Sequence, residues 1–336
     1  MPRKTIRQVI TETLAAEMRR DPTVIVMGED IVGGTGSKGQ LDAWGGPFGT
    51  TKGLIAEFGP ERVIDTPISE AGFIGAATGA ALTGLRPVAE LMFSDFFGVC
   101  FDQIYNQAAK LRYMFGGRAV TPLTIRTRYG AGTRSASQHS QSPYSVFTHV
   151  PGLKVVIPTS AYDMKGLLTQ AIRDDDPVVV FEHKKMYDVE DDVPDDSYTI
   201  PFGEANITHE GDDVTIVAIG RMVLFANEAA AKLEREGIGC TVVDPRTTSP
   251  LDEDTIIECV EDTGRLVVVD EANPRCSVAT DIAALVASKA FRALKAPIEL
   301  VTAPHTPVPY APDLEDAYIP SPEKIAAAVR RVMEDG

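Results

Sequence analysis

The residue best placed to do chemistry is Glu70, in the run IDTPISEAGF. It follows a short apolar stretch and opens a segment rich in glycine and alanine, with apolar neighbours on both sides. A carboxylate in the first turn of a helix commonly does no more than compensate the helix dipole. In apolar surroundings such a group is poorly solvated, so its proton affinity rises and it suits proton exchange with a weakly basic ring nitrogen. The second candidate is His139, in GAGTRSASQHSQSPY, a polar loop flecked with glycine, with Arg128 and Arg134 close in sequence. A histidine there can titrate near neutrality or simply face solvent. His149, His183 and His209 read as solvent or linker residues, and His305, in APHTPVP, as a loop-packing group.

Other chemistries lack their residues. There is no Ser/His/Asp order and no H-E-x-x-H zinc pattern. Cys100, Cys240, Cys259 and Cys276 form no Cys-x-x-Cys pair and have no histidine at ligand spacing, so they read as buried free thiols of a reducing compartment. The pairs Gly33-Gly34 and Gly45-Gly46 and the GGTGSKG run lack the spacing of a dinucleotide or P-loop cradle. Gly116-Gly117 reads as a C-terminal helix cap, and Gly72, Gly75, Gly79 and Gly84 as sites of close helix packing. Any phosphorylated cofactor must therefore find its phosphate and metal ligands elsewhere.

The framework that positions these residues is legible from periodicity. Ile6, Val9, Ile10, Leu14 and Met18 recur at helical spacing, and TVIVM at 23–27 reads as a buried strand. Strands at 63–65, 87–91, 123–127, 154–157 and 178–181 alternate with helices that begin at Glu70 and span 97–114 and 163–173. That alternation predicts a mainly parallel sheet covered on both faces. Between 184 and 213 the texture changes to acids, prolines and single turns, the composition of a linker. Beyond it, strands at 214–219, 240–244 and 266–270 alternate with helices at 223–236 and 252–263, and a last helix at 322–333 is opened by Ser321 and Pro322. The expected fold class is α/β with two doubly wound domains, 1–190 and the smaller 213–336, joined by a linker at 191–212.

The chain has 336 residues, 44% of them hydrophobic, enough for two cores. Its 48 acidic against 32 basic residues give a formal charge of -16, which repels nucleic-acid phosphates and anionic lipid surfaces. The N-terminal run MPRKTIRQVITETLAAEMRRD is amphipathic and carries acids, unlike a secretory signal, and no stretch approaches the roughly 20 apolar residues that span a bilayer. A cytoplasmic protein without nucleic-acid or membrane partners is the expectation.

Several long runs carry a resemblance to a known family. RVIDTPISEAGFIGAATGAALTGLRPVAELMFSDF, FDQIYNQAAKLRYMFGG, SASQHSQ, PGLKVVIPT, KGLLTQAIRDDDPVVVFEHK, RTTSPLD and TAPHTPVPYAP occur in this order, nearly from end to end. They closely resemble the β subunits of the thiamine-dependent decarboxylase components of 2-oxo acid dehydrogenase complexes. Within that family, MFGG and VVVDEANPRCSVATDIAALVA are most similar to the acetoin dehydrogenase members, with pyruvate and branched-chain 2-oxo acid members as alternatives.

The resemblance implies a transketolase-like architecture, a pyrimidine-binding domain followed by a C-terminal domain, in a tetramer of two α and two β chains. It implies thiamine diphosphate as cofactor, shared with an α subunit whose GDG motif binds magnesium and the diphosphate; this chain has no GDG. By matching motif, Glu70 would hydrogen-bond the cofactor's pyrimidine, Glu29 in MGED would fix that bonding, and Phe96 would pack on the ring. His139 would face the substrate and assist proton or acyl transfer to the lipoyl group of the dihydrolipoyl acyltransferase, whose subunit-binding domain grips the C-terminal domain. One departure is Val99, where some pyruvate-type relatives carry Gln, so pyruvate specificity does not transfer directly. The resemblance also allows a potassium ion at Leu123, Ala171, Ile172, Asp174 and Asp176, with a plain acidic turn as the alternative. A non-catalytic assembly subunit, and a self-sufficient nucleotide-binding oxidoreductase, are the competing readings.

Overall fold

The computed structural model of the chain describes residues 1–32 and 45–334; Gly33-Gly34 and the GGTGSKG run lie outside the described residues. Contacts gather the chain into two units, Met1–Tyr129 with Val146–Pro201, and Gly130–Ser145 with Phe202–Gly336.

Among the described residues, six strands of the first unit run parallel: β1 (Val24–Glu29), β2 (Val63–Thr66), β3 (Arg86–Leu91), β4 (Thr124–Tyr129), β5 (Lys154–Val156) and β6 (Val178–His183), in the order β5-β6-β4-β3-β1-β2. β4 and β6 are buried at every position, as expected of a parallel sheet covered on both faces. From β1 the chain moves outward to β2 and then crosses back to β3 on the other side, so β1 marks the point where winding reverses. In such sheets the carboxyl ends of the strands at the reversal border a crevice that can receive a ligand.

The helices follow their apolar stripes. Ile6–Arg20 starts with a Thr5–Gln8 capping box and buries Ile6, Val9, Ile10, Leu14 and Met18. It packs against Ala161–Arg173, whose Arg173 grips the buried Glu17 with two bonds of 3.0 and 2.7 Å. The single helix expected over 97–114 is instead broken into Phe97–Asp102, a wide π turn at Gln103–Ala108 and Leu111–Met114, with a kink at Cys100 (φ -118°, ψ 16°). Phe97, Phe101 and Tyr105 recur every four residues, the spacing of neighbours on one helix face, and their rings meet at 5.4 and 5.2 Å. Gly116 and Gly117 cap the last piece as expected, both at positive φ, with Gly117 N–H donating to Arg112 O at 2.8 Å.

The linker composition at 184–213 conceals two strands. Glu190–Asp192 pairs antiparallel with Arg3–Thr5, and Asn206–His209 forms an edge of the second sheet. His183, expected at the solvent, is 3% exposed and sits edge-on to Tyr129 at 4.9 Å, because it ends a central strand. His305, expected to pack, is exposed, as is Cys276.

In the second unit, β7 (Asn206–His209), β8 (Val214–Ala218), β9 (Cys240–Asp244), β10 (Leu266–Asp270) and β11 (Glu299–Thr302) lie in the order β11-β10-β8-β9-β7, with only β7 antiparallel among the described strands. The helices Met222–Glu234 and Pro322–Glu334 pack on each other and bury Ala226, Leu233, Ile325 and Val329 with Val267 and Val269 of the sheet.

The centre of the first sheet is ionic. Arg126 and Arg128, two residues apart on β4 and so on one face, are both buried. Arg126 forks onto Glu182 of β6 at 2.6 and 3.0 Å and reaches Glu90 of β3 at 3.1 Å. Arg128 lies 2.6 Å from Glu90 and donates to the Tyr187 hydroxyl at 2.9 Å, which in turn donates to Glu182 at 2.6 Å. Burial alone would raise the Glu90 carboxyl, but Arg128 and Arg126 hold it below the ordinary glutamate value. Gly28 on β1 stands in register with Glu90, and a Cβ there would come within 2.9 Å of the Glu90 Cβ and carbonyl oxygen. Because removing one partner strands a buried charge, Arg126→Met is expected to lower unfolding free energy by about 3–5 kcal/mol, measured by urea denaturation. A loss below about 1 kcal/mol would show that the network is solvated and dispensable.

Candidate active site

Three strand ends supply the site. β1 ends at Glu29, which is in register with Thr66 at the end of β2, and Glu70 begins the helix Glu70–Leu82 four residues further on. Glu70 is only 8% exposed, and no donor among the described residues hydrogen-bonds its carboxylate. Glu29 is half-buried beside it. Burial first, and then the Asp30, Glu70 and Asp65 carboxylates, raise the Glu29 carboxyl above the ordinary glutamate value. Asp65 is raised too, chiefly by burial, although it accepts the Val32 N–H at 3.2 Å. No lysine or arginine among the described residues is paired with Glu29 or Glu70.

Phe96 closes a short 3-10 turn, Ser94–Phe96, just past β3. Its ring meets Phe93 edge-on at 5.5 Å, Phe93 meets Phe48 at 5.8 Å, and the Arg128 guanidinium lies 4.4 Å over Phe48. The aromatic wall is thus footed on the buried ionic network. The helix beginning at Phe97 packs against Glu70–Leu82 and brings Cys100 near the acid. Burial first, and the Glu70 carboxylate second, push the Cys100 thiol up to about 12, so it remains a neutral thiol at physiological pH. Val99 is 63% exposed.

His139 belongs to the second unit, half-buried in the loop Gly130–Ser145. The structure therefore brings Glu29 and Glu70 together, places Phe96 in the same unit just past β3, and holds His139 with the other. Asp65 and Cys100 were not singled out in the sequence. Asp65 could have been, since it stands in the same IDTP run as Glu70. The pairing of Arg126 and Arg128 also had a signal, two cations alternating inside a strand that reads as buried, which requires acids on neighbouring strands.

The turn at Asp174–Asp176 is satisfied by its own chain. Lys154 Nζ holds both Asp174 oxygens at 2.6 and 2.7 Å and reaches Asp176 at 3.4 Å, while Arg112 also pairs with Asp176. Arg86 donates to the carbonyls of Ile172 and Asp174 at 3.3 and 2.9 Å. The carbonyl oxygen of Ala171 accepts Asp174 N–H at 3.3 Å, and that of Leu123 accepts Val178 N–H at 2.9 Å. Among the described residues, no three His, Cys, Asp or Glu side chains converge as a metal would need. No described helix is long and apolar enough to cross a membrane.

The raised Glu29 carboxyl fixes the sign of a pH effect. Its ionised form is less stable folded than unfolded, so the contribution it makes to stability is full below the unfolded value and is lost as pH rises through the folded one. Glu29→Gln is therefore expected to raise the thermal midpoint more at about pH 7 than at about pH 4. Equal gains at the two pH values, read by differential scanning calorimetry, would contradict the crowding of acids.

Residues 3–189 match the transketolase pyrimidine-binding domain and residues 203–325 the transketolase C-terminal domain. The chain is 62% identical to the acetoin:2,6-dichlorophenolindophenol oxidoreductase subunit beta of Cupriavidus necator, covering 100% of this chain and 99% of that one. It is 57% identical to the protein of the same name from Bacillus subtilis, over 98% and 97%. A solved split-gene transketolase, described as an inactive beta4 tetramer, shares the fold with a TM-score of 0.78 at 23% identity, over 98% of each chain. With both domains matched in order and full-length relatives this similar, the chain belongs to the family of dehydrogenase β subunits built from transketolase pyrimidine-binding and C-terminal domains.

Proposed function

We propose that this chain is the β subunit of a thiamine-diphosphate-dependent acetoin dehydrogenase, contributing half of an active site completed by an α subunit. The observation that carries the reading is Glu70, a residue 8% exposed at the winding reversal, whose carboxylate is hydrogen-bonded by no donor among the described residues. A carboxylate that no donor of the described chain occupies can accept a hydrogen bond from a ligand. A protonated or imino ring nitrogen is such a donor.

When bound, thiamine diphosphate supplies a carbanion equivalent for cleaving bonds next to a carbonyl. Glu70 accepts the pyrimidine's hydrogen bond and holds a proton on that ring nitrogen. Glu29, whose proton affinity is raised, steadies the Glu70 charge from the end of β1. Phe96 gives the ring an apolar wall. His139 donates or accepts a proton on the substrate side and assists acyl transfer to a lipoyl group. Magnesium and the diphosphate fall to the α subunit, since this chain carries no GDG, in a tetramer of two α and two β chains. The net charge of -16 suits a basic face on the subunit-binding domain of a dihydrolipoyl acyltransferase. Pyruvate or a branched-chain 2-oxo acid is the alternative substrate. A domain division at 1–190 and 213–336, and a cytoplasmic location, complete the reading.

In enzyme reconstituted from both subunits, Glu70→Gln is expected to fold normally and to lower turnover of acetoin by at least about 100-fold. Unchanged turnover would end this assignment. A second test concerns potassium at the Asp174–Asp176 turn, where the carbonyls of Leu123, Ala171 and Ile172 each keep a second lone pair. Replacing sodium by potassium at equal ionic strength is expected to raise the unfolding midpoint. Identical midpoints would leave the turn to Lys154 and Arg86 alone.

A further inference from the structure

The loop Gly130–Ser145 interrupts the first unit in sequence yet is held by the second. Gly130, Gly132, Arg134 and Ala136 have φ of 93°, 104°, 58° and 58°, an every-other-residue excursion into the left-handed region that turns backbone N–H groups toward a common side. Those groups meet buried carboxylates. Ala131 N–H donates to Glu271 Oε1, Gly132 N–H to Glu315 Oε1 at 2.8 Å, and Arg134 N–H to Glu315 Oε2 at 3.1 Å. The Arg134 guanidinium donates to Glu315 Oε2 at 2.7 Å, to Asp316 at 2.8 Å and to the Pro312 carbonyl at 2.9 Å. Near the far end, Tyr144 donates its hydroxyl proton to Asp270 Oδ1, which also accepts Ala272 N–H at 2.8 Å. Gly130 N–H closes the base on the Gln141 carbonyl at 3.2 Å.

Glu315 and Asp270 are fully buried and Glu271 is 2% exposed. A carboxylate out of water requires donors, and for Glu315 they are the loop's own N–H groups and Arg134. Arg134 and Ala136, neither of them glycine, hold a backbone conformation that costs on the order of 1–3 kcal/mol each and persists only where surroundings enforce it. His139 lies between the two anchored ends.

We propose that Glu315 is a positioning residue for His139, fixing the backbone at Gly132 and Arg134 so that the imidazole stands where group transfer requires it. This rests on His139 being a site residue. A misplacement of about 1 Å can cost on the order of 100-fold in rate, so an anchor outside the chemistry can govern turnover.

The test is a mutant cycle in the enzyme reconstituted from both subunits with thiamine diphosphate and magnesium, comparing His139→Gln, Glu315→Gln and the double variant, with acetoin and a lipoyl acceptor. Glu315→Gln is expected to lower kcat by about 10-fold or more while KM stays within about two-fold. The double variant is expected to be no slower than His139→Gln alone, because residues that act through one another are non-additive. Two outcomes overturn the proposal: single effects that multiply in the double variant, or a wild-type rate for Glu315→Gln while His139→Gln is impaired. A wild-type rate for His139→Gln itself would refute the role of the histidine, and the positioning role with it, and is told apart by that single variant. If Glu315→Gln does not fold, Tyr144→Phe takes its place in the same cycle with the same expectation, since it releases only the other anchored end.

Discussion

Two arginines inside a sheet are tolerable only because acids reach them from the strands on either side. Arg126 and Arg128 on β4 face Glu90 and Glu182, with the Tyr187 hydroxyl completing the ring of bonds. Two cations and two anions cancel, so burial costs desolvation without leaving net charge. The pairing works at one strand register only, because a slip of one residue would turn the arginines to the opposite face. It also demands Gly28 on β1, where a side chain would collide with Glu90. From this base the contact of Arg128 with Phe48 passes through Phe93 to Phe96, so register, strand order and the aromatic wall share a foundation.

The acidic site beside it has the opposite character. Glu29, Asp65 and Glu70 gather at the strand ends with no paired lysine or arginine among the described residues, and burial and neighbouring acids raise the Glu29 and Asp65 carboxyls. Such an arrangement is a poor design for stability alone. It is a good one for binding a group that brings its own donor and positive character, because such a group favours the ionised acids.

Periodicity and motif chemistry made much of this legible. The alternation of apolar strands and amphipathic helices led to two parallel sheets, and apolar flanks singled out Glu70 as poorly solvated. Tertiary effects hid the rest. His183 looked like a linker residue because the acids that follow it are exposed, whereas the strand that precedes it is fully buried. The wide turn at Gln103–Ala108 was invisible because helical spacing does not register one extra residue in a turn. The partners of the His139 loop, Glu271 and Glu315, are more than 130 residues away along the chain, and no local pattern links an acid in EANP or DLED to a glycine loop so distant.

The affiliation of Gly130–Ser145 has a practical corollary for dissecting the protein. The polypeptide passes between the two units at 129–130, 145–146 and 201–202, three crossings where a linker would make one. A C-terminal fragment cut at 202 would thus lack a piece of its own interior. Glu315 would lose the N–H groups of Gly132 and Arg134 and the Arg134 guanidinium, Glu271 the Ala131 N–H and Asp270 the Tyr144 hydroxyl, and the fragment would have to hydrate or protonate interior acids to hold its shape.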